Sequence, residues 1–593
     1  MSLQLENLGL RRRTHTCGEL REEHAGQHVT LMGWVHRVRD HGGVIFMDLR
    51  DRFGLTQVVF RPERSAEFTE RSRGLRAEFV VTVEGEVGLR PAEMVNRHMS
   101  TGAIEVQGLG LAVLNVSETP PFEVEDDTTA NEDLRLRYRY LDLRRPSLAG
   151  MMVLRHRAVS AVRESLNAQG FLEIETPMLV KPTPEGARDF VVPSRLHPGK
   201  FYALPQSPQL YKQILMVSGM DRYYQIARCL RDENLRADRQ PEHTQIDLEM
   251  SFVGEEDVFR VVESMVRHVF GTVLGGDVPA PFPRLTYAEA MDRFGSDKPD
   301  LRFGLELKDA SDLAARSEMR AFQEAVAGGG RVKALVVPGG ARRTRKEIDA
   351  FEAAARELGA KGLGWARVGA AWDGGVSKFF PPALQGEAAA ALGASEGDLL
   401  LLVAGPMPAA ARALGVVRSL LGREMDLPRD QFRFTWVREF PLFEWDQERR
   451  AWAAMHHMFT MPLEEDLPKL ETDPGAVRGQ LYDLVCNGVE LASGSIRIHR
   501  RDIQSRVMKV VGLSMEEAER RFGFLLEAFQ YGAPPHGGIA PGVDRLVMLM
   551  AGRDSIRDTI AFPKTTSMAC LMDGSPSELD PQDLKDLRIR IET

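Results

Sequence analysis

Three segments of the sequence combine charged side chains with glycine or proline in patterns that could hold a phosphorylated ligand. The first, residues 170–177, is weak by itself, because a helix end followed by glycine, a strand and proline occurs in many α+β proteins. The second, residues 224–249, predicts a strand, a polar loop and a returning strand. Arg231, beside Asp232 and Glu233, could hold an α-phosphate, because a guanidinium forms bidentate and permanently charged hydrogen bonds. On charge pattern alone, a solvated hairpin with ion pairs is the alternative.

The third segment, residues 532–545, predicts a strand that turns through glycines into a helix. The glycines allow the strand to approach a ligand closely before the turn. Arg545 falls in the first turn of this helix, where its guanidinium could lie over a phosphate or an adenine face. The predicted buried face of the helix comprises Val543, Leu546, Val547 and Met550. Glycine-rich corners of this kind also occur without a ligand, but a corner that carries an arginine in this position is less common.

A small β-barrel is predicted at the N-terminal end of the chain. Five short runs rich in β-branched or aromatic residues predict strands, at Val29–Val35, Val44–Leu49, Thr56–Phe60, Phe79–Glu84 and Ala103–Val106. Five strands in so short a stretch indicate a closed barrel of the OB-fold type. Alternation along 44–49 places Phe46 on the outer face with Asp48. There Phe46 could stack on a nucleic-acid base or contact the next domain at the barrel rim.

Composition divides the chain into further domains. A barrel domain at 1–116 is followed by a polar, proline-bearing linker at 117–140, and alternating strands and helices are predicted at 141–287. Residues 288–424 are rich in alanine and glycine and carry few convergent polar groups, which indicates an inserted α+β domain. The strand–helix pattern returns at 425–593. The predicted fold class is therefore α+β and multidomain.

The overall composition is that of a globular protein with more than one core. The chain has 593 residues, of which 43% are hydrophobic and 27% charged, and its net charge is −9. A negative net charge does not exclude a nucleic-acid partner, because large RNA-binding proteins carry local basic patches. The four cysteines are widely spaced, which argues against a zinc site or a disulfide framework and suits a reducing cytoplasm. No apolar run is long enough to cross a bilayer, so no membrane partner is expected.

In their order along the chain, the three segments resemble motifs 1, 2 and 3 of class II aminoacyl-tRNA synthetases. Other strings resemble the bacterial aspartyl branch of that class, and the resemblance covers nearly the whole chain; these strings are residues 183–189, 202–212, 232–241, 296–300, 494–499 and 560–564. The resemblance implies an OB-fold domain that binds the tRNA anticodon, a catalytic antiparallel sheet flanked by helices, and the inserted domain of bacterial members. Motif 1, which includes Pro177, implies a homodimer.

The resemblance also implies the ligands, which are ATP, Mg²⁺, L-aspartate and tRNA(Asp), and the residues that hold them. Positions similar to the ATP site of the family are Arg231, Asp232, Glu233, Gln240, Glu490, Gly542, Val543, Asp544 and Arg545. Positions similar to its aspartate site are Glu185, Ser207, Gln209, Lys212, Arg231, Asp247, His456 and Arg497. The expected catalytic residues are Arg231, Arg545 and Glu490, of which Glu490 is the expected Mg²⁺ ligand. The expected anticodon contacts are Arg39, His41, Phe46 and Gln57.

These assignments agree with the chemistry of the substrates. A side-chain carboxylate could be bound by the compact charge of the Lys212 ammonium and by two parallel hydrogen bonds from the Arg497 guanidinium. Asp247 can accept hydrogen bonds from an ammonium group. In the expected reaction the α-carboxylate of aspartate attacks the α-phosphorus of ATP, and the terminal adenosine of the tRNA then attacks the aspartyl-adenylate. Catalysis needs positioning and charge neutralisation rather than an enzyme nucleophile. The adjacent His456 and His457 are expected to form local hydrogen bonds rather than to bind a metal.

Three positions depart from the family pattern. Leu230 replaces an aromatic residue that is common in motif 2, and Val543 replaces a leucine of motif 3. Both are packing changes beside intact charged residues, so activity is still expected. His41, in the predicted turn between two barrel strands, stands where enzymes restricted to tRNA(Asp) tend to have leucine. The sequence therefore leaves open an enzyme that also aspartylates tRNA(Asn).

Three rival functions are weaker. A lysyl- or asparaginyl-tRNA synthetase has a similar core, but the large insertion and the cations Lys212 and Arg497 favour an acidic substrate. An inactive RNA-binding paralogue would be expected to lack Arg231, Glu490 or Arg545, and the chain has all three. An amide-forming ligase that uses no tRNA would not need the N-terminal barrel.

Overall fold

A computed structural model describes residues 4–183, 187–233 and 239–592 of the chain. It divides into two compact units, one formed by Met1–Val153 with Ile560–Ser577 and the other by Leu154–Thr559 with Glu578–Thr593. Within these described ranges, no helix is both long and apolar enough to cross a membrane.

The first unit contains a closed five-stranded barrel. Its elements are β1 (His28–His41), β2 (Val44–Asp51), β3 (Gly54–Phe60), α1 (Ala66–Ser72), β4 (Val80–Leu89) and β5 (Ile104–Asn115), followed by α2 (Glu132–Arg137) and α3 (Arg139–Asp142). The strands pair in the order β1-β2-β3-β5-β4 and β1 closes on β4, which is the arrangement of an OB-fold. The predicted strands and barrel are therefore confirmed, and β1, β4 and β5 extend beyond their predicted ends.

Alternation along β2 separates the barrel core from its outer face. Ile45, Met47 and Leu49 are buried in the core, whereas Phe46 and Asp48 are only partly buried. The same alternation on β3 leaves Gln57 partly exposed while its neighbours are buried.

The predicted position of His41 is wrong in one respect. His41 is not in the turn but is the last residue of β1, where it pairs with Val44, so that the turn consists of Gly42 and Gly43. Both glycines have positive φ, 64° and 92°, a conformation that glycine adopts without strain and that two-residue hairpin turns require. His41 is therefore held by strand pairing and is exposed.

The second unit contains an eight-stranded mixed sheet, a four-stranded sheet and two sheets of two strands each. Its strands are β6 (Leu172–Glu173), β7 (Val191–Pro193), β8 (Phe201–Ala203), β9 (Arg222–Leu230), β10 (Glu242–Ser251), β11 (Arg284–Thr286), β12 (Lys308–Asp309), β13 (Arg331–Val337), β14 (Gly364–Arg367), β15 (Leu399–Gly405), β16 (Phe434–Arg438), β17 (Phe443–Asp446), β18 (Ala451–Ala454), β19 (Leu481–Cys486), β20 (Val489–Ile496) and β21 (His536–Pro541).

Helices surround these sheets. They are α4 (Pro146–Ala168), which begins before the boundary between the units, α5 (Gln209–Val217), α6 (Glu255–Leu274), α7 (Tyr287–Phe294), α8 (Ser311–Ala315), α9 (Arg320–Ala327), α10 (Arg345–Glu357), α11 (Pro382–Leu392), α12 (Ala409–Arg423), α13 (Arg501–Val510), α14 (Met515–Ala528), α15 (Val543–Met550) and α16 (Pro581–Leu587).

The large sheet has eight strands in the order β11-β16-β19-β20-β21-β10-β9-β6. Its interior pairs are antiparallel, and only the outermost pairs, β11 with β16 and β6 with β9, are parallel. The strand and the returning strand predicted for the second charged segment are β9 and β10. The strand and helix predicted for the third are β21 and α15, and the predicted apolar face of α15 is buried.

A separate four-stranded sheet lies within the region predicted as an insertion. Its order is β12-β13-β15-β14, and apolar side chains cover both of its faces. Leu399, Leu401 and Val403 of β15 pack on one side while Leu400 and Leu402 pack on the other, which explains the unbroken apolar run of this strand.

Helix α12 passes very close to the end of α7. A Cβ atom on Gly415 of α12 would lie 2.3 Å from the carbonyl oxygen of Gly295, and one on Gly295 would lie 2.1 Å from the carbonyl oxygen of Ala411. Gly295 also has a φ of 65°, so it is glycine for conformational as well as steric reasons.

Candidate active site

A polar cavity of about 570 Å³ opens on the large sheet. The predicted site residues that line it are Ser207, Gln209, Lys212, Arg231, Glu233, Gln240, Asp247, His456, Glu490, Arg497, Gly542, Asp544 and Arg545. Two other described residues, Asp232 and Val543, are not in its lining, and Val543 is buried in the helix core. Glu185 lies outside the described residues. Segments far apart in the sequence therefore meet in one cavity.

The closed end of the cavity holds two buried cations between two buried carboxylates. Lys212 Nζ lies 2.7 Å from Asp247 Oδ1 and 3.3 Å from Glu249 Oε2. Arg497 Nε lies 3.0 Å from Glu249 Oε1. All four side chains are no more than 2% exposed, so each charge depends on its protein partners rather than on water.

The geometry of this end follows from strand register. Asp247 and Glu249 are two residues apart on β10 and therefore point to the same face. Glu249 pairs across the strands with Gly538 of β21, where a Cβ atom would lie 2.0 Å from its carboxylate. Glycine at 538 thus leaves the space that the Glu249 carboxylate occupies beneath Arg497.

Burial raises the pKa values of the two carboxylates, Asp247 and Glu249, whereas the neighbouring cations lower them. Burial raises the pKa of Asp247, and the nearby Lys212 only partly offsets this. Burial would also raise the pKa of Glu249, but the charges of Arg497 and Lys212 outweigh it and hold the pKa below its usual value. Asp247 Oδ2 is buried without a hydrogen-bond partner among the described residues. It is therefore an acceptor available to a ligand at this end of the cavity.

Two residues of this network were not among the predicted site residues. Glu249 bridges the two cations, and His457 Nε2 lies 2.8 Å from Arg497 Nη1. Burial lowers the pKa of His457 well below its ordinary value, and the neighbouring Arg497 lowers it further. A neutral His457 can accept a hydrogen bond from Arg497 and so orient the guanidinium.

The open end of the cavity carries two arginines, Arg231 and Arg545. Arg545 Nη1 donates to the backbone carbonyl of Glu490 at 2.7 Å and lies 3.5 Å from its Oε1. Arg231 Nε is buried and has no hydrogen-bond partner within the described ranges. A buried guanidinium N–H without an acceptor suits an anionic ligand.

Glu490, in the cavity lining, has a second carboxylate, the buried Asp483, near it. Burial raises the pKa of Asp483 well above its usual value, and the nearby Glu490 raises it further. Asp483 Oδ1 has no hydrogen-bond partner in the described chain. Such a pair suits a hard cation such as Mg²⁺, which takes one or two carboxylates and fills its other positions with water and phosphate. No cluster of three or more His, Cys, Asp or Glu side chains placed for a metal occurs among the described residues.

His456 and Asp544 have local partners. His456 Nδ1 lies 3.0 Å from Ser493 Oγ, and burial lowers the pKa of His456. The two oxygens of Asp544 accept from Arg155 Nη1 at 2.5 Å and from the Thr244 backbone N–H at 3.0 Å. Asp544 thus ties the start of α15 to α4 and β10 and supports the cavity wall next to Arg545.

The outer face of the barrel brings the predicted anticodon residues together. Phe46 pairs across the strands with Arg39, and Asp48 pairs with Gln57. Arg39 Nη2 donates to Asp48 Oδ2 at 2.9 Å, and the His41 and Phe46 rings lie edge to face with their centroids 5.6 Å apart. An aromatic ring, a cation and an amide on one exposed face can stack on and hydrogen-bond to unpaired bases.

Comparison with known proteins identifies the class. Residues 131–566 match the family model of class II tRNA synthetases (D, K and N), and residues 29–107 match that of the OB-fold nucleic-acid-binding domain. The chain therefore belongs to the class II tRNA synthetases.

Its relatives place it more narrowly within that class. An aspartate–tRNA(Asp/Asn) ligase of Desulfatibacillum aliphaticivorans is 55% identical over 98% of each chain. An aspartate–tRNA ligase of Geobacillus kaustophilus is 53% identical over 98% of this chain and 99% of its own. Among solved structures, an asparaginyl-tRNA synthetase of Pyrococcus horikoshii complexed with asparaginyl-adenylate has the same fold, with a TM-score of 0.60, 21% identity, and coverage of 96% of this chain and 100% of that one.

Proposed function

We propose that this chain is an aspartate–tRNA ligase that activates L-aspartate with ATP and transfers it to tRNA(Asp). Near-full-length similarity to enzymes of that name supports this proposal. The observation that carries the choice of amino acid is the pair of buried cations, Lys212 and Arg497, at the closed end of the cavity.

The side-chain carboxylate and the ammonium group of aspartate each have a complement at the closed end. The side-chain carboxylate would be held by Arg497 and Lys212, and the ammonium group by Asp247 Oδ2, with Ser207 and Gln209 nearby. Glu185, His456 and Arg231 complete the proposed aspartate site.

The open end would bind ATP. Arg231 and Arg545 would neutralise charge at the phosphates, while Glu233, Gln240, Gly542 and Asp544 would line the rest of the site, with Asp232 and Val543 next to lining residues in the chain. Mg²⁺, when bound, would offset further phosphate charge, and Glu490 together with Asp483 would hold it.

Two steps follow from this arrangement. An α-carboxylate oxygen of aspartate attacks the α-phosphorus, the bond to the bridging oxygen breaks, and pyrophosphate leaves with the electron pair. A terminal hydroxyl of the tRNA then attacks the activated carbonyl and releases AMP. The residues of the chain position the reactants and neutralise charge, and none forms a covalent bond.

The relatives also support charging of tRNA(Asn), because several are named for both tRNAs. Arg39, His41, Phe46 and Gln57 on the barrel face are the proposed anticodon contacts.

We further propose a homodimer that works in the cytoplasm. Motif 1 and the segment that follows it expose four large apolar side chains, each more than 40% accessible, as expected of a surface that a partner subunit covers; they are Leu172, Met178, Leu179 and Val191. The four free cysteines, all buried, are compatible with a reducing compartment. Light scattering of the purified chain measures the dimer directly.

Pyrophosphate exchange into ATP, measured separately with each amino acid, tests the proposed function. Aspartate should support exchange, whereas asparagine and lysine should not. Charging assays with purified tRNA(Asp) and tRNA(Asn) then test tRNA choice. Exchange that depended on lysine or asparagine instead would replace the proposed activity by that of another member of the class.

A further inference from the structure

The segment Ser296–Leu305 carries a cation into the active-site cavity. Lys298 lines the cavity, and its Nζ lies 3.8 Å from Glu490 Oε2. This separation is longer than a hydrogen bond, so Glu490 attracts Lys298 without satisfying its donors. The side chain is about half exposed, at 48%, and can therefore reach a ligand in the open end.

Glu490 thus lies between two cations. Arg545 approaches Oε1 at 3.5 Å, and Lys298 approaches Oε2 from the other side. A polyphosphate placed next to the Glu490 carboxylate would come within reach of both. Arg545 is an expected phosphate ligand of this class, whereas Lys298 has no role in the reaction described above.

The segment that carries Lys298 is held in place by α12, which lies near the other end of the inserted region in sequence. Arg418 of α12 is 2% exposed and donates to the backbone carbonyls of Asp300, Phe303, Gly304 and Leu305 at 2.8 to 3.1 Å. Its guanidinium lies over the rings of Phe294 and Phe303, at 4.9 and 4.2 Å from their centroids. A single side chain thereby fixes the backbone that follows Lys298.

The other side of the segment packs on the turn between β19 and β20. A Cβ atom on Gly488 of this turn would lie 3.4 Å from Asp300 Cβ and 3.9 Å from the Lys298 carbonyl oxygen. Glu490 follows the turn by two residues on β20. The segment is therefore fixed between α12 and the strand that carries Glu490, and the direction of Lys298 into the cavity is set from both sides.

We propose that Lys298 is a further catalytic residue, which contacts the β- and γ-phosphates of ATP and the departing pyrophosphate, and that Arg418 is its positioning residue. This inference rests on the proposed function, in which the open end binds ATP. When the bond to the α-phosphorus breaks, negative charge accumulates on the leaving pyrophosphate. A lysine beside it is the point charge that offsets this charge.

Equilibrium binding distinguishes this role from a surface ion pair. In calorimetric titrations, Lys298→Ala should weaken the binding of ATP and of pyrophosphate about tenfold or more, as expected for a lost hydrogen bond to a charged group. The affinity for AMP should not change. Lys298→Arg should restore most of the affinity. Lys361→Ala, at an exposed lysine of the inserted region, is the matched control and should change nothing.

Kinetics provide the second measurement. In aspartate-dependent exchange, Lys298→Ala should raise the KM for pyrophosphate and leave the KM for aspartate unchanged. Arg418→Lys keeps a positive charge but cannot donate to all four backbone carbonyls. It should therefore also raise the KM for pyrophosphate and leave the KM for aspartate unchanged. Adding it to Lys298→Ala should then cause no further loss, because both changes act through one side chain.

If Lys298→Ala weakened the binding of ATP and of AMP equally, or weakened the binding of neither, the proposal would be wrong. If the double variant raised the KM for pyrophosphate by as much as the two single variants combined, Arg418 would not act through Lys298. Nucleotide binding needs no amino acid, so these results are independent of whether aspartate is the amino acid that the parent enzyme activates.

Discussion

The closed end of the cavity and the outer face of the barrel both present cations and carboxylates, but under opposite conditions. Lys212, Glu249 and Arg497 are at most 2% exposed, whereas the side chain of Arg39 on the barrel is 40% exposed. Breaking a buried pair leaves an uncompensated charge and costs about 3–5 kcal/mol, while an exposed pair contributes about 0–1 kcal/mol. A cavity residue is therefore expected to serve both fold and ligand, and a barrel-face residue the ligand alone.

Arg497→Leu should produce the largest effect. It removes the partner of Glu249 and the proposed ligand of the substrate carboxylate, with an expected loss of about 2–5 kcal/mol. The kcat/KM of aspartate-dependent pyrophosphate exchange measures this loss. Arg39→Leu, an arginine of the exposed face, is the control and should leave exchange intact. An unchanged KM for aspartate in Arg497→Leu would show that the cation pair does not select the substrate.

Phe46→Ala tests the opposite region. Loss of one stacked base corresponds to about 1–3 kcal/mol, which should appear in the kcat/KM of tRNA charging and not in pyrophosphate exchange. Phe53→Ala, at an exposed aromatic residue between β2 and β3, is the matched control. Equal damage to both reactions would indicate a disrupted barrel rather than a lost contact.

His243 also lines the cavity, and the pH dependence of stability tests how strongly it is buried there. Burial, reinforced by the charges of Arg231 and Arg545, lowers the pKa of His243 to about 3. Below about pH 6.5 the unfolded chain binds a proton at this position and the folded chain does not, so stability decreases as the pH falls. The decrease from this one group is at most about 1.4 kcal/mol per pH unit.

His243→Gln should therefore lose less stability than the parent between pH 7 and pH 5. Midpoints of urea unfolding at both pH values measure the difference. At pH 7.5, where the histidine is neutral in both states, any difference between the two proteins reports packing alone. If the stability of the two proteins changed with pH in the same way, His243 would not be shielded from solvent in the folded chain.

His41→Leu should have the smallest effect. An imidazole can donate and accept and can therefore tolerate either anticodon base, whereas leucine can do neither. A change of about 1.4 kcal/mol is a tenfold change in selectivity. The ratio of charging rates for tRNA(Asp) and tRNA(Asn) should shift toward tRNA(Asp). A parent enzyme that ignored tRNA(Asn) would remove the basis for relaxed specificity, and an unchanged ratio would leave His41 without a role in it.

The regions also differ in how far their structure could be predicted. The position of Phe46 follows from alternation within one strand, so a short stretch of sequence suffices. His41 was misplaced because a strand end and a turn differ by hydrogen bonds that local sequence patterns predict poorly, and only the pairing with Val44 decides between them.

The cavity was predictable as a set of motifs but not as a network. Glu249 and Arg497 are 248 positions apart, and nothing in their local sequences indicates that they pair. The sequence likewise gives no sign that both oxygens of Asp544 are taken by Arg155 and Thr244. Long-range partners depend on sheet order, which the motifs alone do not determine.

The contact between Gly295 and Gly415 limits how the inserted region can be exchanged between enzymes. A methyl group on either residue would meet a backbone carbonyl oxygen at 2.3 Å or less, so the two chain segments would have to separate. Both glycines lie within 288–424, so a chimaera that exchanges the whole region keeps this contact, whereas one joined between residues 295 and 415 needs glycine on both sides of the junction. Grafts that carry a larger residue at either position should express as proteins whose insertion is misaligned, even when each part is well formed alone.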